Sequence, residues 1–336
     1  MAYFSPCAVL SRLKRWMVGC GLAGAALALL SGPLAAEDRG DAVEPIRPLT
    51  TPSGLDAGKV ALGRRLFSDP ILSADGTISC ASCHDLATGG TDHRSRSVGI
   101  NGALGTVRAP TVFNSGLNFR QFWDGRAPTL EAQVAGPITN PVEMGSTWPA
   151  VLARLAANPD YRRAFAAAFG TPPSIEGVEE AIASFERTLV TTGSRFDRWL
   201  RGDAAALSDK ELQGYGLFKS YGCASCHQGA NVGGNMFQKF GFMGNYFADR
   251  GHVAEADFGR YNVTHQEDDR FVFKVPSLRL AAAGGPYFHD GSVADLGSVI
   301  RIMARYQLGR EIPEEDQAAI IAFLGTLAGE SGEAGR

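Results

Sequence analysis

The same five residues, CASCH, stand at positions 80–84 and again at 223–227 of the 336-residue chain. Each copy has two cysteines separated by two residues and followed directly by a histidine. This arrangement suits covalent attachment of haem c, because each thiol can add to a vinyl group and the adjacent imidazole can bind the iron. The pattern therefore predicts two covalently bound haems c. The predicted attachment and iron-binding residues are Cys80, Cys83 and His84, and Cys223, Cys226 and His227.

Other cysteine chemistry explains the pattern less well. A zinc site with four thiolate ligands would use both cysteine pairs, but it would leave the two histidines and their identical context unexplained. Thioredoxin-like redox pairs require a βαβ setting that is not visible here. The remaining cysteines, Cys7 and Cys20, lie in the N-terminal segment, so no thiol is left for a structural disulfide.

Residues 1–36 are predicted to be an export signal. A basic stretch at residues 12–15 precedes an apolar run at 16–30 and a small-residue site before residue 37. A transmembrane anchor is the competing interpretation, but the run is short and rich in glycine and alanine. Cys20 weakly resembles a lipoprotein cleavage site. The signal predicts a periplasmic protein with no membrane association after cleavage.

The composition is that of a globular protein, with 45% hydrophobic and 20% charged residues. The chain that follows the signal is long enough for two domains with separate cores. A formal net charge of −3 offers no basic surface for nucleic acid. No nucleic-acid partner is therefore expected.

The repeat extends upstream of both CASCH copies, where GRRLF at residues 63–67 matches GYGLF at 214–218. The unit is a helix followed by a cysteine-bearing turn, used twice. Before the second copy, Ser208 and Glu211 have the spacing of a capping box, which predicts a helix start. The predicted domains are an N-terminal haem domain at residues 37–202 and a C-terminal haem domain at 203–330, followed by a disordered tail at 331–336.

Apolar residues at helical spacing predict further helices. They are Val178, Ile182, Phe185 and Leu189, and Ile320, Phe323, Leu324 and Leu327. The sequence has no sustained alternation of apolar and polar residues, so no large sheet is predicted. Long irregular connections are expected around residues 86–127 and 228–276. The predicted fold class is mainly α, with two cytochrome c-like haem domains and long loops.

The second axial position of each haem determines its function. A methionine thioether suits electron transfer, whereas an open position suits peroxide chemistry. Met144, Met236, Met243 and Met303 are the candidates. Met236 and Met243 follow His227 too closely for a chain that must cross the haem, so the spacing favours Met303 as the ligand of the second haem.

Longer motifs closely resemble those of the bacterial di-haem cytochrome c peroxidases. The likeness covers about residues 50–328, and the wider group also contains MauG-like enzymes that oxidise protein side chains. The motifs are APTVFN at 109–114, QFWDGRA at 121–127, GP at 136–137, NPVEM at 140–144, FKVPSLR at 273–279 and PYFHDGS at 286–292.

The resemblance implies a role for particular residues. It places the peroxide site at the N-terminal haem, with Glu143 transferring protons and Gln133 orienting the peroxide. Trp123 is expected to help electrons cross between the haems. The family's distal methionine falls on Met303, where MauG-like members carry a tyrosine, and nearby Tyr306 is expected to be structural.

Two positions depart from the family pattern. Ile100 stands where most members have a loop histidine that blocks the oxidised N-terminal haem, so we expect an open haem that needs no reductive activation. His93 is the nearest substitute ligand, although a solvated loop role is expected for it. Arg108 replaces a calcium-binding asparagine, and a guanidinium repels Ca²⁺. Calcium is therefore disfavoured.

We predict that the Arg108 guanidinium instead donates to the carbonyls of Gly284 and Pro286. His289 is expected to brace the second haem pocket, whereas His252 and His265 are expected in surface loops.

The expected function is a periplasmic di-haem peroxidase that reduces hydrogen peroxide with electrons from a small cytochrome c or a cupredoxin. A MauG-like enzyme acting on tryptophan or tyrosine of a partner protein is the first alternative, and Met303 argues against it. A non-catalytic di-haem electron carrier is the second, and Glu143, Gln133 and Trp123 argue against that. The resemblance also suggests a homodimer.

Overall fold

The structure, a computed structural model, describes residues 44–331 and is mainly helical over that range. The fold-class prediction is thereby confirmed. The predicted export signal, with Cys7 and Cys20, lies outside the described residues, as do residues 332–336. Between residues 44 and 331 the chain forms no helix with the length and apolar character needed to cross a lipid bilayer.

Twelve α-helices and four short strands make up the regular structure of the described residues. The α-helices are α1 (Ala57–Ser68), α2 (Cys80–Cys83), α3 (Leu130–Thr139), α4 (Trp148–Ala157), α5 (Pro159–Phe169), α6 (Ile175–Glu186), α7 (Arg195–Leu200), α8 (Asp209–Ser220), α9 (Tyr246–Arg250), α10 (Tyr261–Thr264), α11 (Leu296–Leu308) and α12 (Glu314–Gly325). The strands are β1 (Thr191–Thr192), β2 (Phe237–Lys239), β3 (Val272–Lys274) and β4 (Glu330–Ser331). Short 3-10 helices lie at Pro70–Leu72, Leu86–Thr88, Ile100–Gly102, Ser115–Leu117, Ala204–Ala206, Cys223–Ser225, Glu255–Phe258, Glu267–Asp269 and Ala281–Ala283.

The strands form two antiparallel pairs. β1 pairs with β4, so that Thr191 lies opposite Ser331, and β2 pairs with β3, so that Phe237 lies opposite Lys274. Ser331, the first residue of the predicted disordered tail, is paired with β1, and the tail stays a prediction for residues 332–336, which lie outside the described residues.

The internal repeat corresponds to two helix pairs built in the same way. In the first, α1 packs on α6, and a Cβ added to Gly63 would lie 1.8 Å from the carbonyl oxygen of Ala181. In the second, α8 packs on α12, and a Cβ added to Gly214 would lie 1.9 Å from the carbonyl oxygen of Ala319. Each glycine therefore allows two helix backbones to touch just upstream of a CASCH turn.

Aromatic rings also pack between the two helices of each pair. Phe67 and Phe185 meet edge to face with ring centroids 5.3 Å apart, and Phe218 and Phe323 lie 5.2 Å apart. The second pair begins at the predicted capping box, because the Ser208 backbone N–H donates to Glu211 over 2.9 Å. The predicted helix start is thereby confirmed.

Two main groups of buried apolar side chains follow the order of the chain. One contains residues between 62 and 189, and the other contains residues between 196 and 327 together with Ile46. Aromatic residues between 240 and 306 form a third, smaller group. The domain boundary at residues 202–203 stays a prediction.

A fully buried ion pair holds the FKVPSLR segment in place. Arg279 Nη1 lies 2.7 Å from Asp197 Oδ1, and neither side chain is exposed. The same guanidinium donates to the carbonyls of Ala230 and Arg47. Removal of either partner would leave the other charge buried and unpaired, which is costly. The contacts of Arg279 therefore hold the FKVPSLR segment, which includes Lys274, in its position.

Substitution of Gly63 or Gly214 by alanine is expected to separate the helix pairs. The added methyl group would overlap a backbone carbonyl, so each variant should lose about 1–3 kcal/mol of unfolding free energy. Denaturant unfolding of the haem-containing protein, followed by circular dichroism, measures this loss.

Gly216 provides the matched control, because it lies in the same helix as Gly214 with nothing within 4 Å of an added Cβ. Gly216→Ala should instead gain roughly 0.5–1 kcal/mol from helix propensity. Equal stability of Gly214→Ala and Gly216→Ala would contradict the close contact.

Candidate haem sites

The first CASCH motif forms α2 and lines a cavity of about 330 Å³, which we call the N-terminal cavity. Cys80, Cys83 and His84 all contribute to its lining. The Ser79 backbone N–H donates to Ser82 Oγ over 3.0 Å, so that the start of this short helix is capped. The motif is therefore folded into one side of a cavity of the size that proteins use for cofactors.

The His84 ring is in the form that binds iron. Its Nδ1 lies 3.2 Å from the carbonyl oxygen of Gly90, which can only accept, so Nδ1 carries the proton and Nε2 is left as an electron-pair donor. Burial lowers the pKa of His84, which favours the neutral imidazole.

The second motif lines a separate cavity of about 260 Å³, which we call the C-terminal cavity. Cys223, Cys226 and His227 line it, and Met303 reaches the same cavity from α11. Apolar residues make up much of the remaining wall, among them Phe218, Phe240, Leu280, Ile300 and Leu324.

Met303 is the methionine that the fold brings into the cavity of His227. Met243 is 56% exposed, and Met236 does not line that cavity. Met144 is buried in the first core and lines the N-terminal cavity. The position of Met303 agrees with the ligand proposed from sequence spacing.

His227 has a polar atom that the protein alone leaves unsatisfied. Its Nδ1 is buried and has no hydrogen-bond partner among residues 44–331. Burial lowers its pKa to about 4, so the imidazole is neutral near pH 7. A neutral, desolvated imidazole beside two thiols and a thioether is a donor set suited to haem iron.

The four thiols fit haem attachment better than zinc binding. One pair lines each cavity, so the described residues do not gather them into a four-thiolate site. Burial raises the pKa of Cys80 to about 12 and that of Cys223 to about 11, which disfavours the thiolates that zinc would need. Thioether formation removes these buried ionisable groups.

The N-terminal cavity also holds a carboxyl group and amides. Glu143 and Gln133 both line it, Gln133 from the first turn of α3. Asn140 Nδ2 donates to Glu143 Oε1 over 2.7 Å. Burial raises the pKa of Glu143, while the Asn140 bond and the charge of Arg126 offset part of that rise.

The turn that carries Glu143 is built around Asn140. The Asn140 carbonyl accepts from the backbone N–H groups of Glu143 and Gly145, at 3.0 and 2.8 Å. The Asn140 side-chain oxygen accepts from Val142 N at 3.1 Å. The side chain therefore holds the loop and the carboxylate at the same time.

Trp123 lies in a wall that the two cavities share. It lines both, and its indole N–H donates to the carbonyl oxygen of Arg108 over 2.9 Å. Its own carbonyl accepts from Lys274 N at 2.9 Å. Arg108, Phe273 and Lys274 line both cavities as well, so we call these residues, with Trp123, the shared wall.

The loop with Ile100 packs against the Glu143 turn. Ile100 N donates to the Glu143 carbonyl over 2.9 Å, and Ile100 is 8% exposed. A Cβ added to Gly145 would lie 2.2 Å from Ile100 Cδ1. Ile100 therefore packs on the turn that contains Glu143 and Gly145, and it does not line the N-terminal cavity.

The predicted contacts of Arg108 with Gly284 and Pro286 are wrong. Arg108 Nε is buried without a hydrogen-bond partner in residues 44–331. The neighbouring carbonyl of Gly285 instead contacts His93 Nδ1 at 3.0 Å, and the other His93 nitrogen contacts the Thr88 carbonyl at 2.6 Å. His93 thus bridges two backbone segments beside the C-terminal cavity, which it lines.

The remaining histidines and Tyr306 have separate positions. His289 is buried, lines the C-terminal cavity and lies 2.8 Å from Asp257. His252 and His265 are exposed, as predicted.

The Tyr306 hydroxyl donates to Asp249 over 2.9 Å, and Tyr306 does not line the C-terminal cavity. Asp257 and Asp290 both form ion pairs with Arg250.

Sequence reasoning missed two buried ionisable residues at these cavities. Glu186 lines the N-terminal cavity, and burial raises its pKa to about 8. Lys274, in the shared wall, is 8% exposed. Glu186 stands four residues after Ile182 on the apolar face of α6, which was a usable signal. Lys274 had no comparable signal, because the fold alone brings it between the cavities.

Comparison with known proteins gives consistent matches. A family model described as di-haem cytochrome c peroxidase matches residues 57–205. The chain is 47% identical to the cytochrome c peroxidase Ccp of Escherichia coli (strain K12), over 85% of this chain and 61% of that protein. It is also 47% identical to a cytochrome c551 peroxidase of Nitrosomonas europaea, over 85% of each.

Among solved structures, a MauG-like protein associated with microbial copper homeostasis matches with a TM-score of 0.73 and 30% sequence identity. The match covers 88% of this chain and 96% of that chain.

The family model spans the segment that builds the N-terminal cavity, from α1 to beyond Glu186. The 47% identity to the Nitrosomonas protein extends across 85% of both chains. The chain belongs to the family of di-haem cytochrome c peroxidases, whose cofactor is haem.

Proposed function

We propose that this protein is a periplasmic peroxidase that reduces hydrogen peroxide to two water molecules, using two protons and two electrons. The electrons come from a small cytochrome c or a cupredoxin. Cys80, Cys83 and His84 would hold one haem c, and Cys223, Cys226, His227 and Met303 would hold the other. When bound, the haems supply the iron that binds peroxide and the electrons that reduce it.

The observation that carries the proposal is the difference between the two cavities. The N-terminal cavity places Glu143 and Gln133 in the same lining as His84, whereas the C-terminal cavity places Met303 in an apolar lining with His227. Carboxyl and amide groups suit proton transfer to peroxide, and a thioether in an apolar pocket suits electron transfer. One site is thus equipped for chemistry and the other for receiving electrons.

Glu143 can transfer a proton from one oxygen atom of hydrogen peroxide to the other. Its carboxylate can accept a proton from one peroxide oxygen and return it to the other, so that water leaves in place of hydroxide. Its raised pKa brings this carboxyl closer to neutral pH, where acceptance and return of a proton are both favourable. Gln133 can orient the peroxide by hydrogen bonding.

Trp123 is positioned to connect the two sites. It lines both cavities. Its indole N–H donates to the Arg108 carbonyl, and its own carbonyl accepts from Lys274 N, so it is bonded to two other residues of the shared wall. We propose that electrons pass from the C-terminal cavity to the N-terminal cavity by way of this side chain.

The N-terminal site should be open in the fully oxidised protein. Ile100 cannot bind iron, and it is buried against Gly145. His93 is tied to two carbonyls beside the other cavity. Both facts support a peroxidase that needs no prior reduction.

A MauG-like activity on a partner protein is the second candidate, favoured by the structural match to a MauG-like protein. The position of Met303 in the C-terminal cavity and the binding of Tyr306 to Asp249 argue for the peroxidase.

Replacement of Glu143 by glutamine should lower peroxide-dependent oxidation of a reduced cytochrome c by roughly 10²–10⁴-fold, because the amide cannot accept the proton. Stopped-flow absorbance at the cytochrome α band measures the rate, with the haem content of each sample fixed by pyridine haemochrome. Glu176→Gln, an exposed carboxylate at the start of α6, is the control and should behave as wild type. An active Glu143→Gln variant would rule out this role.

Replacement of Asn140 by alanine should move the acidic limb of the pH–rate profile to higher pH. The Asn140 hydrogen bond stabilises the ionised form of Glu143 and lowers its pKa, so loss of the bond raises that pKa further. Activity that needs the carboxylate is lost as pH falls through this pKa, and the loss should begin at a higher pH in the variant. An unchanged limb would show that another group controls it.

Replacement of Trp123 by phenylalanine should slow electron transfer between the sites while both haems stay attached. Pulse radiolysis can reduce the protein quickly and follow the transfer spectroscopically. Trp148→Phe is a suitable control, because Trp148 packs against the first core and lines neither cavity. Equal transfer rates in the two variants would mean that Trp123 only fills space.

A further inference from the structure

Lys274 is a buried cation without an ion-pair partner among residues 44–331. Its side chain is 8% exposed, and no carboxylate in residues 44–331 forms a salt bridge with it. Burial lowers its pKa to about 8, and no neighbouring acid acts against that shift. An ammonium group in such a place is costly unless something charged or polar from outside the polypeptide meets it.

The position of Lys274 shows where that partner would lie. The residue lines both the N-terminal and the C-terminal cavity. Its backbone is fixed by the bond to the Trp123 carbonyl and by its pairing with Phe237 in β2. The side chain thus starts from a rigid strand and ends at the boundary between two cofactor cavities.

A second cation stands at the same boundary. Arg108 also lines both cavities, and its Nε is buried without a hydrogen-bond partner in the described part of the chain. One buried lysine and one half-buried arginine therefore line both cavities together with Trp123. Burial lowers the pKa of Arg108 and the carboxylate of Asp92 acts against that lowering, whereas burial alone shifts the pKa of Lys274.

We propose that Lys274 forms an ion pair with a propionate carboxylate of a bound haem at the shared wall, with Arg108 as a second cation beside it. Haem carries carboxylates on its propionate side chains, and a buried carboxylate needs a cation as much as the lysine needs an anion. This inference rests on the two haems of the proposed function, but not on the peroxidase reaction.

The ion pair gives Lys274 a specific task. It fixes one edge of a haem relative to Trp123 through β3, and its positive charge favours the ionised form of the propionate.

Resonance Raman spectroscopy tests the pair, because the propionate bending modes of haem respond to ionic and hydrogen-bonding partners. In Lys274→Met, the mode of one haem should shift, and Lys274→Arg, which keeps the charge, should restore a position near wild type. Lys239→Met is the matched control, since Lys239 is exposed on the adjacent strand β2 and should leave the modes unchanged.

Pyridine haemochrome analysis of the same samples separates this proposal from the larger one. A Lys274→Met protein with two haems and wild-type propionate modes would overturn the ion pair and leave the peroxidase proposal intact. Fewer than two haems in the wild-type protein would instead contradict the proposed function.

A crystal structure of the wild-type protein with its haems tests the pair without any variant, in case Lys274→Met does not fold. The proposal predicts Lys274 Nζ within about 4 Å of a propionate oxygen. A propionate-free environment around Nζ would overturn it.

Discussion

Both cofactor cavities depend on the hydrogen bonds that fix Trp123 in the wall between them. The indole donates to the Arg108 carbonyl over 2.9 Å, and the Trp123 carbonyl accepts from Lys274 N at 2.9 Å. Arg108 N in turn donates to the His289 carbonyl over 2.8 Å. These bonds join residues 108–123 to residues 274–289, so a shift of either region would change the shape of both cavities.

The two sites use the same local sequence but differ in what the long connections add. Each CASCH turn follows a helix, α1 or α8, in which a glycine lets the backbone touch that of a helix later in the chain. After the first CASCH copy, α3 brings Gln133 and the turn that follows it brings Glu143 to the N-terminal cavity, whereas α11 brings Met303 to the C-terminal cavity. The repeated unit therefore fixes where a haem attaches, and the surrounding segments determine what that haem can do.

The local features could be predicted from sequence because each depends on a few neighbouring residues. Haem attachment requires a fixed cysteine–histidine spacing, and a capping box requires Ser208 and Glu211 three residues apart. Features that depend on distant segments were missed or misjudged. Lys274 becomes a buried cation only when β3 lies between the cavities, and the Arg108 prediction failed at a contact between segments far apart in the chain, where Arg108 Nε has no hydrogen-bond partner in residues 44–331. Gly63 and Gly214 were visible as a repeat, but their contacts required knowledge of α6 and α12.

The most direct test of the account is peroxide-dependent oxidation of a reduced small cytochrome c by the fully oxidised protein, compared with the protein reduced beforehand by one electron. The account predicts an immediate steady rate from the oxidised form, equal to that of the pre-reduced form, because Ile100 leaves the N-terminal site open. A rate that appears only after reduction would contradict the open site. No turnover from either form, with both haems attached, would contradict the peroxidase itself.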